Sequence, residues 1–340
     1  MEKHMNIPVF IPHLGCKNDC VFCNQRSITG TLGEVSCDEV RGIIEEHLRF
    51  AQERQVEIAF FGGSFTGLDI QKQENYLSVA YEYVKSGDVS GIRLSTRPDY
   101  ISIGILDMLS TYGVKTIELG AQSMCDDVLL KSGRGHRVQH TRESAALIKA
   151  KGFSLGLQMM LGLPGDTHEK SLYTAREICA MGADNTRIYP TVVLKHTCLY
   201  DMYMRGEYTP LTVEQAVETA KEAVKIFDSS GVNILRIGLQ QSETLGSEVA
   251  AGAYHPAMGE LVLSRLVRDD AESYITEHKA KEIIITADRK NISVAVGQNR
   301  CNIKYLEEKY SVPVKVKTDT RAGIYIQNTP LGRKRKDETK

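Results

Sequence analysis

No stretch of this 340-residue chain approaches the roughly 20 consecutive apolar residues that cross a bilayer. The opening "MEKHMNIPVF" offers neither the apolar segment nor the cleavage site of a secretory signal, so a cytoplasmic protein is expected. Charge of one sign is also missing. The formal net charge is −1, so no whole-molecule field announces a nucleic acid or a membrane, although a local patch remains compatible with RNA. Internal repeats and low-complexity linkers are absent too. What remains, 42% hydrophobic and 25% charged residues, is ordinary for a soluble globular chain long enough for one large core and one small one. The basic run "GRKRK" from Gly332 reads as a solvated tail before it reads as a phosphate-binding arm.

Against these absences one cluster stands out. "CKNDCVFC" places Cys16, Cys20 and Cys23 within eight residues, with three and then two residues between them. In a reducing compartment eight cysteines stay thiols, and three gathered together suggest a metal. Three thiolates can hold three irons of a [4Fe–4S] cluster and leave the fourth iron open to an outside ligand, which four-cysteine ferredoxin spacings do not. A zinc site is the alternative; it needs a fourth ligand, for which His13 and Cys37 are available. The isolated Cys37, Cys125, Cys179, Cys198 and Cys301 read as small buried hydrophobes.

Short apolar runs alternate with longer amphipathic stretches over the first 190 residues. Strands are expected at "IPVFI" from Ile7, "EIAFF" from Glu57, "IRLS" from Ile92, "TIELG" from Thr116, "FSLGLQMM" from Phe153 and "TRIYP" from Thr186. Helix-like segments between them begin at Asp38, Gln73, Asp99, Thr141 and Thr167, several opening on a capping residue and closing on glycine. Strands separated by helices make βαβ units and a parallel sheet. Six such units are two short of a closed eight-fold barrel, so an open, partial (β/α)6 TIM-like barrel is expected. In such folds chemistry sits at the C-terminal ends of the strands. The cysteines, "GGSFTG", "TRPD", "AQS" and "GLPGD" each follow successive strands, so all share one rim. The expected organisation is a barrel over 1–210, an extension completing it over 211–268, a small α/β domain over 269–327 and a basic tail over 328–340.

These motifs resemble, in order and spacing, those of the radical S-adenosylmethionine (SAM) superfamily, and from Ile7 to Met258 those of its Elongator catalytic-subunit-like branch. The resemblance implies that Cys16, Cys20 and Cys23 hold a [4Fe–4S] cluster whose open iron binds SAM, and that the reduced cluster cleaves SAM to methionine and a 5′-deoxyadenosyl radical. Phe22 matches the aromatic residue near the adenine. Gly62 and Gly63 match the glycine motif that meets the SAM amino group, with Ser64 where an acidic residue is usual. Ser95 stands where relatives use a glutamate toward SAM, which weakens that contact. Gln122 matches a glutamine near the ligand, and Arg134 the arginine that pairs with the SAM carboxylate, a task suited to a bidentate guanidinium. Gln158 replaces an aspartate at the ribose hydroxyls, and Leu163 belongs to the "GLPG" turn shaping the adenosine pocket. Tyr189, Lys195, His255 and Glu260 are candidate substrate-pocket, hence catalytic, residues. A reductant such as flavodoxin or ferredoxin is implied as a partner.

Fewer than 80 residues follow the "GAYHPAMGEL" segment that ends at Leu261, so no acetyltransferase domain, and no acetyl-CoA chemistry, is expected. Instead "ISVAVGQNRCNIKYLEEKYSVPVKV" from Ile292 resembles the core of a KH RNA-binding module, with Gly297-Gln298-Asn299-Arg300 in place of the G-x-x-G loop. The expected function is therefore a radical SAM enzyme that modifies RNA, a tRNA base being the natural substrate. Two alternatives stand beside it: a small-molecule enzyme related to oxygen-independent coproporphyrinogen oxidase, and a non-catalytic iron–sulfur protein that binds RNA.

Overall fold

The computed structural model describes residues 3–11, 16, 20–23, 35–51, 54–240, 245–321, 323–327 and 329–331. His13 and the basic run after Leu331 lie outside them.

The barrel sheet is built from β1 (Lys3–Ile11), β2 (Arg54–Gly62), β3 (Gly91–Thr96), β4 (Val114–Gln122), β5 (Ser154–Leu161) and β6 (Asn185–Pro190). The connecting helices are α1 (Cys37–Leu48), α2 (Ile70–Ser86), α3 (Ile103–Thr111), α4 (Asp126–Lys131), α5 (Val138–Ala150) and α6 (His168–Ala180). All six strands pair in parallel, in sequence order. Local chemistry sets the helix starts: Ser36 and Glu39 form a reciprocal capping box on α1, and Asp69 caps α2, which ends on a left-handed Gly87. Two further elements, β7 (Val192–Leu194) and the short helix α7 (Cys198–Met204), precede α8 (Val213–Ser229). The strand β8 (Asn233–Ile237) then joins β6 in parallel. The sheet thus has seven strands where six were expected, because "VNILRIGLQ" supplies one more edge.

Strand alternation divides the sheet into two faces. Ile58, Phe60, Ile92, Leu94, Ile117, Leu119, Leu155 and Leu157 are buried in the core against Ile44, Leu77, Leu106, Ile148 and Ile178 of the covering helices. The intervening residues, among them Glu57, Arg93, Ser95, Glu118, Gln158, Arg187 and Tyr189, occupy the other register and so line the barrel interior. The outer face alone holds the sheet to its helices, which leaves the inner face free to be polar.

After a one-turn helix, α9 (Leu245–Glu248), β9 (Val249–Gly252) pairs antiparallel with β7 as a ribbon beside the barrel. The chain then enters α10 (Met258–His278), whose first half packs Met258, Val262 and Leu266 into the barrel core. Its second half packs Val267, Ala271 and Ile275 into a separate core with Ile283, Ile285, Leu306 and Ile324. The position expected to open the small unit, Asp269, lies inside this continuous helix and bonds Lys221 of α8 at 2.8 Å. The small unit runs β10 (Ile283–Ala287), α11 (Ile292–Val296), α12 (Cys301–Tyr310), β11 (Val314–Thr318), β12 (Ile324–Ile326) and β13 (Thr329–Leu331). Its sheet order is β11-β10-β12-β13, with β10 and β11 parallel. Residues 329–331, expected to be tail, pair with β12 instead. None of the five isolated cysteines is buried as expected: Cys198 and Cys301 are exposed, each on the first turn of a helix, and the other three are half-buried. No helix among the described residues is long and apolar enough to cross a membrane.

Candidate functional site

The segment carrying Cys20 to Cys23 is held at the barrel mouth by two strands of backbone contact. The Val21 N–H donates to the Ser132 carbonyl at 3.1 Å, and the Leu199 N–H donates to the Val21 carbonyl at 2.7 Å. Phe22 packs with Val193, Leu199 and Tyr208 in a small apolar cluster on the ribbon side. Cys23 N–H closes a turn on the Cys20 carbonyl at 3.0 Å. All three cysteines are free thiols, Cys20 being buried. Cys16 Sγ lies 3.2 Å from the Ser64 hydroxyl, in the loop after β2. Among the described residues no three His, Cys, Asp or Glu side chains converge on a point where one metal ion would sit.

Cys20 faces two buried arginines. Arg134 Nη1 donates to its sulfur at 3.4 Å, while Nη2 donates to the Gly120 carbonyl at 2.6 Å. Arg97, 1% exposed, forms a bidentate pair with Asp99 at 2.9 Å and still leaves its Nη1 without a partner among the described residues. Arg134 Nε and Gln122 Oε1 are likewise buried and unsatisfied. Unpaired buried N–H groups are costly, on the order of 1–3 kcal/mol each, so their gathering at one mouth marks a place built for an anionic or acceptor-rich ligand. His136 is buried beside them; burial, then the charges of Arg134 and Arg97, push its pKa down to about 3, so it is neutral at pH 7.

Backbone shape contributes as well. Gly62 ends β2 at φ 102°, and Gln122 ends β4 in the left-handed region at φ 65°, beside a break in the β4–β5 register. A side chain on Gly120 would meet Arg134 Nη2 at 2.6 Å and Gln122 Nε2 at 2.9 Å, so glycine there lets the two side chains share one corner. Gly162, in the turn after β5, adopts φ 75°, and its N–H donates to Asp166 at 2.8 Å. Leu163 beside it is buried.

Deeper in the barrel lies a network the sequence motifs did not disclose. Glu118, 1% exposed, accepts from Arg187 Nε at 2.7 Å, Arg93 Nη1 at 3.1 Å and Gln158 Nε2 at 3.0 Å. Arg93 Nε also reaches Glu57 at 2.8 Å. Burial alone would raise the Glu118 pKa, but the two guanidiniums and the Gln158 amide outweigh it and hold the carboxyl below its ordinary value. Because an ionised carboxylate only accepts, the Gln158 amide must turn its NH2 toward Glu118 and Ser95, the latter at 3.3 Å. Tyr189 lies beside Arg187 with its pKa raised by burial. A polar residue at an inward position of a buried strand was the signal for Glu118 in "TIELG".

The other pocket candidates are placed elsewhere. Lys195 is exposed in the turn after β7, with Nζ on the Ser247 carbonyl at 2.9 Å. His255 Nδ1 accepts the Ala257 N–H at 3.1 Å at the entry to α10, and half-buried Glu260 lies in that helix's first turn. Ser95, Gln158 and Tyr189 are thus brought together within the barrel, and Cys20, Gln122 and Arg134 at its mouth. Lys195 belongs to the ribbon.

Three free thiols on one loop, two buried guanidiniums with unmet donors and glycine-opened backbone at the same rim fit a thiolate-held cluster and a zwitterionic ligand beside it. Comparison with known proteins agrees. Residues 10–178 match the model of the radical SAM superfamily and residues 183–268 that of the Radical_SAM C-terminal domain. The tRNA uridine(34) acetyltransferase of Methanocaldococcus jannaschii is 28% identical over 228 residues, covering 61% of this chain and 41% of that protein. Human Elongator complex protein 3 is 28% identical over 232 residues, covering 62% and 42% respectively. The chain thus spans about two fifths of the length of these relatives. The structure of Methanocaldococcus infernus Elp3 superposes with a TM-score of 0.62 at 22% identity, over 82% of this chain and 64% of that one. Streptococcus suis SuiB bound to S-adenosylmethionine superposes at 0.52 with 10% identity, covering 72% and 52%. The partial barrel, the cysteine loop at its mouth and these matches lead to one conclusion: the chain belongs to the radical SAM superfamily, and its relatives are of the Elongator catalytic-subunit type.

Proposed function

We propose that this protein is a radical SAM enzyme that modifies RNA, with a tRNA base as its substrate. The observation that carries the reading is the pairing of a SAM-type mouth with similarity to tRNA uridine(34) acetyltransferases over most of the barrel. Cys16, Cys20 and Cys23 would hold the [4Fe–4S] cluster. That group, when bound and reduced, supplies the electron that cleaves SAM to methionine and a 5′-deoxyadenosyl radical. Around it, Arg134 donates to the Cys20 sulfur and leaves its buried Nε–H without a partner, available to the SAM carboxylate, while Gly62 and Gly63 would let a ligand approach the backbone closely. Glu118 fixes the Gln158 NH2, leaving the amide oxygen as the acceptor for ribose hydroxyls. Tyr189 beside Arg187 stands where a base entering the barrel would meet protein. The chemistry requires that base to be single-stranded or flipped out, since a stacked base cannot reach the mouth.

The small C-terminal unit supports an RNA substrate. Between α11 and α12 the chain turns through Gly297 at φ 74°, Asn299 at φ 53° and Arg300 at φ 62°. Two successive non-glycine residues in the left-handed region are strained, and such strain clusters at binding loops.

The test is anaerobic. The protein is reconstituted with iron and sulfide, SAM and dithionite are added, and 5′-deoxyadenosine is quantified with and without bulk tRNA. Stimulation by tRNA supports the reading. Turnover indifferent to RNA points to a small-molecule substrate, and no deoxyadenosine from a fully loaded preparation overturns the enzyme reading.

A further inference from the structure

Charge is distributed very unevenly along this nearly neutral chain. Residues 281–340 carry fourteen Lys and Arg against seven Asp and Glu, a net of +7, whereas the preceding 280 residues carry 28 against 36, a net of −8. The acidic second half of α10 brings residues 269–327 as a whole back to ten Lys and Arg against nine Asp and Glu, so the basic excess is local: it lies in the strands and helices after α10 and in the run from Arg333, and it is there that a polyanion would be drawn.

Within that unit the sheet has one covered and one open face. Ile283, Ile285, Ile324 and Ile326 point into the core with α11 and α12. The alternate residues form rows on the opposite face. Lys317 of β11 is in register with Thr286 of β10, which pairs with Tyr325 of β12. One step along, Lys315 is in register with Ile284, whose carbonyl accepts the Gln327 N–H at 3.0 Å. A depression of about 270 Å³ lies on this face, lined by Ile284, Thr286, Lys317, Asp319, Arg321 and Gln327. The Arg321 guanidinium is paired with Asp319, its Nε donating to the carboxylate at 2.7 Å, and lies over the Tyr325 ring, 4.6 Å from its centre. Among the described residues Lys315 is held only by an exposed pair with Glu282 at 3.0 Å, which water and salt already weaken. Lys317 is exposed and has no ion pair among the described residues. In the sequence, the four basic residues Arg333 to Lys336 come one residue, Gly332, after the end of β13.

We propose that this open sheet face, not only the Gly297–Arg300 loop on the helical side, binds a single-stranded segment of the RNA substrate. The proposal rests on the RNA reading given above and names the surface that would engage the RNA. Lysines alternating along a strand lie about 7 Å apart, a spacing comparable to successive phosphates of an extended strand. An aromatic ring topped by a planar guanidinium offers that guanidinium, or the ring once the arginine swings aside, as a stacking surface for an unpaired base. A duplex cannot offer its base faces to such a platform, so the fit is to a single strand.

The experiment measures binding of the full chain to an unstructured RNA oligonucleotide and to bulk tRNA by fluorescence anisotropy across a salt series. It compares wild type with Lys315→Glu/Lys317→Glu, Tyr325→Ala and Arg300→Glu, each checked for an unchanged thermal melt. The double charge reversal is expected to weaken oligonucleotide binding at least tenfold and to lower the salt slope by roughly 1.4, two phosphate contacts at about 0.7 each for a single strand. Tyr325→Ala is expected to weaken binding about tenfold with the slope unchanged, which an electrostatic role would not produce. Loss with Arg300→Glu alone, the sheet variants binding as wild type, overturns the sheet-face assignment and leaves the RNA reading intact. Equal weakening toward duplex RNA or heparin overturns the single-strand assignment. If wild type binds neither RNA, and tRNA does not stimulate SAM cleavage, the RNA reading itself falls and this proposal falls with it.

Discussion

Arg134 Nη1 lies 3.4 Å from the sulfur of Cys20, a residue 114 positions earlier in the chain. Since Nη2 of the same guanidinium is held on the Gly120 carbonyl, Arg134 ties the end of β4 to the cysteine loop. With Cys20 as a cluster ligand, as proposed above, a charge-assisted N–H to its thiolate would stabilise the more negative, reduced state of the cluster. Arg134→Ala is therefore expected to lower the midpoint potential of the reconstituted protein, read by EPR-monitored redox titration. It should also weaken SAM binding at least tenfold. An unchanged potential together with unchanged SAM affinity would confine Arg134 to packing.

Gly120→Ala tests the same corner without removing a charge. The new methyl would meet the ends of two flexible side chains, Arg134 at 2.6 Å and Gln122 at 2.9 Å, and no backbone atom that close. The fold is expected to survive, with a melting temperature within a few degrees of wild type, about 1 kcal/mol for a chain of this size. SAM affinity, measured by equilibrium binding to the loaded protein, should fall along with that of the Arg134 variant.

Glu118→Gln removes the anion between two arginines that are themselves nearly inaccessible, Arg93 at 6% and Arg187 at 12% side-chain exposure. Breaking a buried pair on one side leaves uncompensated charge, which typically costs about 3–5 kcal/mol. Urea unfolding of Glu118→Gln should show a loss of this order. Gln158→Ala should cost less, because Glu118 keeps both guanidiniums; equal losses would contradict the ranking.

His136 gives the fold an acid-sensitive point. It is packed among Arg134, Arg97 and Asp99, and its folded pKa of about 3 lies below the unfolded value of about 6.5. Between these values the unfolded chain binds a proton that the folded chain refuses, so the neutral histidine's full stability is present above pH 6.5 and is lost progressively as pH falls toward 3. Thermal melts between pH 7 and pH 5 should drop more steeply for wild type than for His136→Gln. Parallel curves would show that other groups dominate the acid response.

The sequence by itself determined what is local. The spacing of Cys16, Cys20 and Cys23, the caps at Ser36 and Asp69, and the order of strands and helices are all short-range facts. Helix capping and strand periodicity act over a few residues, so they can be read one segment at a time. Only the tertiary structure decided which inward residues meet. Glu118 lies 25 residues from Arg93 and 69 from Arg187, and the partners come from three strands whose register no single segment specifies. The same holds for β8, whose place as the seventh strand follows from its pairing with β6. Likewise Asp269 reads locally as a change of pattern, yet it sits inside α10 because one face of that helix is apolar along its whole length and closes two cores in succession. Lys195 shows the converse: sequence placed it just past the barrel, and the antiparallel pairing of β7 with β9 carried it out to the ribbon and the Ser247 carbonyl.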